Sequence, residues 1–325
     1  MTERGPSPLA LGGGLATVYV IWGSTYLAIR FAVETLPPFL MAGVRFLIAG
    51  TLLYGWARWR GVPRATATQW RRATLVGALL LLGGNGLVSL AVTRVPSGLA
   101  ALLVATVPLW MVLLDALRPG GGGAPPPRVW WGIGLGLVGV GVLVGPASFV
   151  SGEGVDPVGA ATLIVASVLW AIGSLVSRGA GLPVSARMST ALQMLSGGVL
   201  LVLTGTVLGE WSRVDSAAVS SKSVLALAYL ILFGAIAGFS AYVWLLRVAT
   251  PALVGTYAFV NPVVAVVLGW ALAGEALTPR IGVATLVIVG AVALITGVRR
   301  RPRRDRLPCP PEPVEPVPLP RRRVA

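Results

Sequence analysis

The sequence predicts an all-α integral membrane protein with ten transmembrane helices, arranged as two inverted five-helix repeats. Three observations carry this expectation. The chain of 325 residues is 55% hydrophobic and only 11% charged, with a mean hydropathy of +0.83, far from the averages of soluble domains. Ten segments approach the roughly 20 apolar residues needed to cross the hydrocarbon core. The sequence also repeats itself: a shift of 148 carries Trp22 to Trp170, Arg30 to Arg178, Leu47 to Leu195 and Gly50 to Gly198, and a shift of 154 carries Pro108 to Pro262. Five spans per half is an odd number, so a second half that enters where the first left must run through the membrane in the opposite sense. Repeated halves around a midplane site are a recurring plan of secondary transporters, which supplies a functional expectation before any catalytic motif is sought.

The spans follow in order. The first, near 9–29 after a short N-terminal tail (1–8), lacks a small-residue cleavage site and reads as a retained helix. Its Tyr19, Trp22 and Tyr26 share one stripe. The second, 38–57, carries Arg45 near its centre, where insertion of a charge costs about 2.5–3.5 kcal/mol and the residue normally faces the bundle interior or a wet cavity. The acids lie near span ends, in loops or in tails, so Arg45 is either open to a substrate anion or bonded to backbone carbonyls as a helix tie. In the third span, 73–92, Asn85 and Ser89 stand four apart, either as cavity lining or as interhelical hydrogen-bonding pairs. The fourth, 97–117, holds Pro108 near its middle, where the missing N–H frees a carbonyl near Val104.

A Gly/Pro-rich connector (119–127) leads to the fifth span, 129–146, whose glycines (Gly132, Gly136, Gly139, Gly141) suit close helix approach. The linker at 147–157 reads as an external loop. The sixth span, 158–177, repeats the first, with Ser167, Trp170 and Ser174 on the corresponding stripe, and the seventh, 188–208, places Gln193 at the position equivalent to Arg45. The eighth and ninth are 223–246 and 251–273. The ninth carries Tyr257 and Asn261 on one face, with Pro262 the counterpart of Pro108, so that broken backbone in both halves would line a cavity or gate it. The tenth, 280–298, precedes a basic, proline-rich tail (299–325) that cannot bury enough apolar area to fold alone. The repeats are thus expected at 9–146 and 158–298.

The net charge of +15 invites a nucleic-acid reading, but its placement points to the membrane. With the N-terminus cytoplasmic, 20 of the 26 basic residues fall on cytoplasmic segments, while the other face receives Arg30, Arg94, Arg213, Lys222 and Arg280 and six of the eleven acids. The positive-inside rule then sets both termini in the cytoplasm of a plasma-membrane protein. The tail is expected to meet anionic lipid, not nucleic acid. A single cysteine, Cys309, excludes a disulfide within the chain, and the absence of histidine removes the commonest metal ligand and general base. No cofactor or metal is expected. No cluster of acids or nucleophiles supports a membrane-embedded transferase, and a structural or receptor-like role is the remaining alternative to transport.

Taken in order, Trp22-Gly-Ser-Thr, Arg45-Phe46, Gly84-Asn-Gly86, Val95-Pro-Ser-Gly98, Ala105-Thr-Val-Pro108 and Tyr257-Ala-Phe-Val-Asn-Pro262 resemble EamA-type permeases of the drug/metabolite transporter superfamily, and within it the YedA-like group. The resemblance runs from about 9 to 298. It implies two inverted repeats around a substrate cavity and export of small metabolites, amino acids or toxic compounds. One departure is Ala91-Val-Thr-Arg94, where the family pattern is acidic and polar. The sequence therefore points to a solute cavity in which Arg45 attracts a carboxylate or phosphate. Trp22, Tyr26, Trp170 and Tyr257 would shape it, and Asn85, Gln193 and Asn261 would hydrogen-bond the solute.

Overall fold

The computed structural model describes residues 7–117, 127–144, 156–182, 185–215, 217–248 and 257–296, and among them the regular structure is helical with no strand. The elements are α1 (Pro8–Ala32), α2 (Pro38–Trp59), α3 (Ala67–Ala91), α4 (Ser97–Leu117), α5 (Pro127–Val144), α6 (Pro157–Gly179), α7 (Ala186–Val207), α8 (Ser221–Tyr229, continued by Leu230–Ala237 and Gly238–Val248), α9 (Tyr257–Ala273) and α10 (Pro279–Thr296). Residues 1–6, most of the 119–127 connector, 147–155 of the linker and the basic tail lie outside the described residues.

Seven of these helices, α1 to α4 and α6 to α8, are long and apolar enough to cross a membrane. The apolar runs on the others, Trp130–Gly139, Val260–Ala273 and Pro279–Ala291, are shorter than the spans read from sequence. For α9 the difference lies at its start, because 251–256 fall outside the described residues. The outer faces carry apolar side chains such as Val20, Leu52, Trp131 and Leu286, each more than half exposed. Apolar exposure on this scale suits lipid, not water.

Helix ends follow from local chemistry. Ser7, Asp156, Ser185 and Ser220 each accept a hydrogen bond from a first-turn amide, Pro8 and Pro157 occupy the first helical position, and Thr66 with Gln69 closes a capping box on α3. Gly61 and Gly209, which correspond under the 148 shift, follow α2 and α7 at φ of 78° and 69°, a conformation that favours glycine after a helix end. The bond from the Val158 amide holds the exposed Asp156 carboxyl below its ordinary value, with help from Arg94 at 3.4 Å.

A carboxylate caps α2 from another element. Glu210, 2% exposed, accepts from Phe39 N (3.1 Å) and Leu40 N (2.9 Å), so two otherwise orphaned amides meet an anion at the positive end of the helix. Replacing Glu210 by alanine leaves both donors buried and bare. We expect a loss of about 1–3 kcal/mol, read as a lowered thermal midpoint in detergent.

The core is built between the halves. The most extensive interface joins α2 to α7. A Cβ on Gly43 would meet Val202, on Gly198 Leu47, on Gly50 Leu195 and on Gly205 Leu40, so numbers rise along one helix as they fall along the other: the two run antiparallel. The same holds for α5 and α10, where Gly136 lies against Ala291 and Gly139 against Ile288. Contacts also survive exchange of the halves: α1 packs on α8 and α9, as α6 packs on α3 and α4. The three ion pairs among the described residues, Arg30–Glu275, Arg94–Asp156 and Lys222–Glu34, gather at the end of the bundle where α1 finishes and α2 begins.

Candidate functional site

Lipid gives helices little reason to associate through apolar burial alone, so close packing decides which faces meet. Two glycines set the walls of a central cavity. A Cβ on Gly84 would stand 2.6 Å from Trp170 Cε3, and one on Gly238 would stand 2.5 Å from Trp22 Nε1. The two pairs are related by the repeat: Trp22 and Trp170 correspond, and each indole lies on a glycine of the opposite half. Gly84 belongs to a π-helical stretch of α3 (Ala78–Gly86), and α8 carries a matching one (Leu230–Ala237) that ends just before Gly238. Such wide turns are frequent at functional sites because they re-aim side chains without ending the helix.

The cavity between these walls has a volume of about 100 Å³, room for several waters or part of a small organic molecule. Helix α1 contributes Trp22, Thr25 and Tyr26, α2 contributes Arg45, and α3 contributes Asn85. Helix α4 contributes Val104 and Pro108, α6 Ser167 and Trp170, α8 Phe239, and α9 Tyr257, Asn261 and Pro262. Nearly all the residues singled out from sequence therefore meet in one place.

Arg45 is 3% exposed, and its Nε and Nη1 have no hydrogen-bond partner among the described residues. Its guanidinium lies 4.8 Å from the Phe46 ring centre, and Nη2 reaches toward Gly234 beside Thr25. No carboxylate lines the cavity among the described residues. Glu275 is held elsewhere by Ser97 N (2.7 Å), Gly98 N (3.0 Å) and Arg30 (3.3 Å).

The aromatic residues form one cluster. Trp22 lies 4.9 Å from Tyr242, 5.2 Å from Phe239 and 5.4 Å from Tyr257 between ring centres, which ties α1 to α8 and α9. Such edge-to-face and tilted contacts stiffen the wall and leave ring faces for a flat solute.

Several polar residues behave differently from expectation. Gln193 lies apart from the others: α7 supplies no residue to the cavity lining, and the Gln193 amide donates to Ser189 Oγ at 3.1 Å, on its own helix. Its backbone carbonyl faces Gly77, midway along α3. The 148 shift preserves position along the chain but not the direction a side chain faces once α2 and α7 are laid together. The Asn261 amide nitrogen lies 3.2 Å from the carbonyls of both Tyr19 and Tyr257, where it ties α1 to α9. The hydroxyls of Ser89, Ser167 and Ser174 bond back to carbonyls of their own helices.

The prolines also part company. α4 is interrupted between Val104 and Val107, just before Pro108, whereas Pro262 lies inside α9 without a break among its described residues. Arg94, the departure from the family pattern, pairs with Asp156.

Sequence reading missed Thr25, Phe239 and Tyr242. Thr25 was accessible to it, three residues after Trp22 on the same face. Phe239 and Tyr242 lie in a largely apolar stretch of α8, where little marks them in sequence.

Because Gly84 is pressed against Trp170, Gly84→Ala must drive that indole toward the cavity. We expect transport to fall at least 10-fold with the protein still folded, checked by flux in proteoliposomes beside a thermal melt.

The sequence pattern of the EamA-like transporter family matches this chain twice, at residues 13–145 and 157–297. The chain is 43% identical over 289 residues to the uncharacterized inner membrane transporter YedA of Escherichia coli (strain K12), covering 89% of this chain and 91% of that protein. It is 27% identical over 285 residues to the uncharacterized transporter YvbV of Bacillus subtilis (strain 168), covering 86% and 90%. A solved crystal structure shares the fold at a TM-score of 0.63 with 24% identity, covering 90% of this chain and 99% of that one. These relatives are transporters and not enzymes, which sets the transferase alternative aside. A doubled family pattern, membrane-length helices and relatives matched over most of their length lead to one statement: this multi-pass membrane protein belongs to the EamA-like transporter family.

Proposed function

We propose that this transporter moves a small organic anion by alternating access, with two inverted five-helix repeats rocking about the central cavity. One observation carries the reading: a buried guanidinium lines that cavity with two nitrogens, Nε and Nη1, that lack acceptors among the described residues. Unpaired charged donors are costly, and an entering carboxylate, sulfonate or phosphate would satisfy them with charge-assisted bonds of about 1.5–3 kcal/mol each. The helix-tie role would need carbonyl acceptors, and Nε and Nη1 have none among the described residues.

The antiparallel pairing of α2 with α7 and of α5 with α10 supports the inverted arrangement, since each pair consists of equivalent helices from the two halves. With both termini cytoplasmic, the ion-paired end faces outward and export is the working direction. Labelling tests this arrangement: a cysteine in the 147–157 linker should react from outside the cell and one in the 180–185 loop from inside. Reaction from the same side would overturn it.

Benzenesulfonate is a suitable probe of transport, because its charge is permanent and it cannot leak as a neutral acid. Proteoliposomes loaded with unlabelled benzenesulfonate should take up the labelled compound transiently above equilibrium. No such counterflow would overturn the anion reading.

A further inference from the structure

The charge balance of the cavity has a consequence for how transport is driven. Among the described residues lining it, Arg45 is the one charged side chain, with no aspartate, glutamate or lysine beside it, and the chain holds no histidine. Four of the described acids are engaged elsewhere. Glu275 is bound by Arg30, Ser97 and Gly98, Glu210 caps α2, Glu34 pairs with Lys222, and Asp156 pairs with Arg94. A guanidinium keeps its proton at neutral pH. The described lining thus offers no carboxylate or imidazole to bind a coupling proton on one side and release it on the other.

We propose that the protein exports monoanions electrogenically, driven by the membrane potential, and that the charge moved through the field is Arg45 in the empty transporter. This rests on the anion-binding reading above. With a monoanion bound, the cavity is neutral and its reorientation is indifferent to voltage. Once emptied on the outer side it carries one positive charge, and the inside-negative potential draws that charge back inward. The sum over a cycle is one negative charge moved out.

The same balance selects the substrate. A cation is repelled by Arg45. A zwitterionic amino acid would bury its ammonium with no carboxylate to receive it, so the class favoured is an anion without an ammonium, its apolar or aromatic body lying against Trp22, Trp170 and Tyr257. A potential of 100 mV sustains a gradient of about 50-fold for one charge, equivalent to about 2.3 kcal/mol.

The test uses the full chain in proteoliposomes with labelled benzenesulfonate and a potassium–valinomycin potential. Inside-positive vesicles at 100 mV should accumulate the probe toward about 50-fold, and a pH gradient at zero potential should accumulate none. One-for-one exchange should proceed at the same rate at every voltage. Accumulation driven by the pH gradient, or net uptake indifferent to potential, would overturn the inference while leaving anion binding intact. Absence of exchange itself would instead remove the anion reading beneath it.

Two variants locate the charge. In Arg45→Lys, exchange, however slowed, should remain voltage-insensitive because the cation is kept. In Arg45→Gln the loaded cavity becomes negative, and any residual exchange should acquire voltage dependence. Voltage-dependent exchange in the wild type or in Arg45→Lys would overturn the assignment.

Discussion

An Arg45→Gln variant is expected to bind benzenesulfonate 10- to 100-fold more weakly than the wild type and to melt no lower in its absence. The first effect follows from losing one charge-assisted hydrogen bond of about 1.5–3 kcal/mol while the glutamine amide keeps a neutral one. The second separates a binding role from a structural one. Arg45 is buried at 3% exposure, and its Nε and Nη1 bond to nothing among the described residues. Removing that charge takes away a desolvation penalty without breaking those donors' bonds, so the empty protein should be as stable as before or more so. Calorimetric titration and thermal melts in the same detergent read both quantities. A variant that melts well below the wild type would show that Arg45 holds the helices together, and the anion reading would lose its support.

Substitution of Gly50 or Gly198 by valine is expected to be strongly destabilising. A Cβ on Gly50 would lie 3.0 Å from the backbone nitrogen of Leu195, and one on Gly198 would lie 3.0 Å from that of Leu47. Backbone cannot rotate aside as a side chain can, so the two helices must separate along their whole antiparallel seam. Overpacking of this kind costs typically about 1–3 kcal/mol, and here it falls on the most extensive interface between the halves. Gly55, on the same helix, has open space around it. Gly55→Val therefore serves as the control: the first two variants should show lowered thermal midpoints and aggregate, and Gly55→Val should not. Equal behaviour of all three would mean that α2 and α7 are not closely apposed.

Legibility varied from residue to residue. Arg45 could be singled out because a charge within an apolar span has few tolerated fates, and Trp22 and Trp170 because they recur with their neighbours. Each lines the cavity. Gln193 was singled out on the same repeat logic and lies outside it, because correspondence along the chain says nothing of which face of a helix meets which neighbour. Asn261 illustrates a different limit. Its position on the cavity face was readable, but its bond to Tyr19 depends on how α1 lies against α9. Pro108 and Pro262 occupy equivalent positions, yet α4 is interrupted and α9 is not.

By itself the sequence determined the solvent in which this protein lives, the repetition of its halves and the family to which it belongs, because hydropathy and recurrence are properties of the chain read in one dimension. Tertiary structure decided which of the marked residues share a cavity, that Trp22 and Trp170 each rest on a glycine of the other half, and that Arg45 faces the cavity with two donors unpaired among the described residues. The reason is geometric: in lipid, helix faces are matched by close backbone approach at small residues, and a string of interchangeable apolar residues does not say which faces those will be.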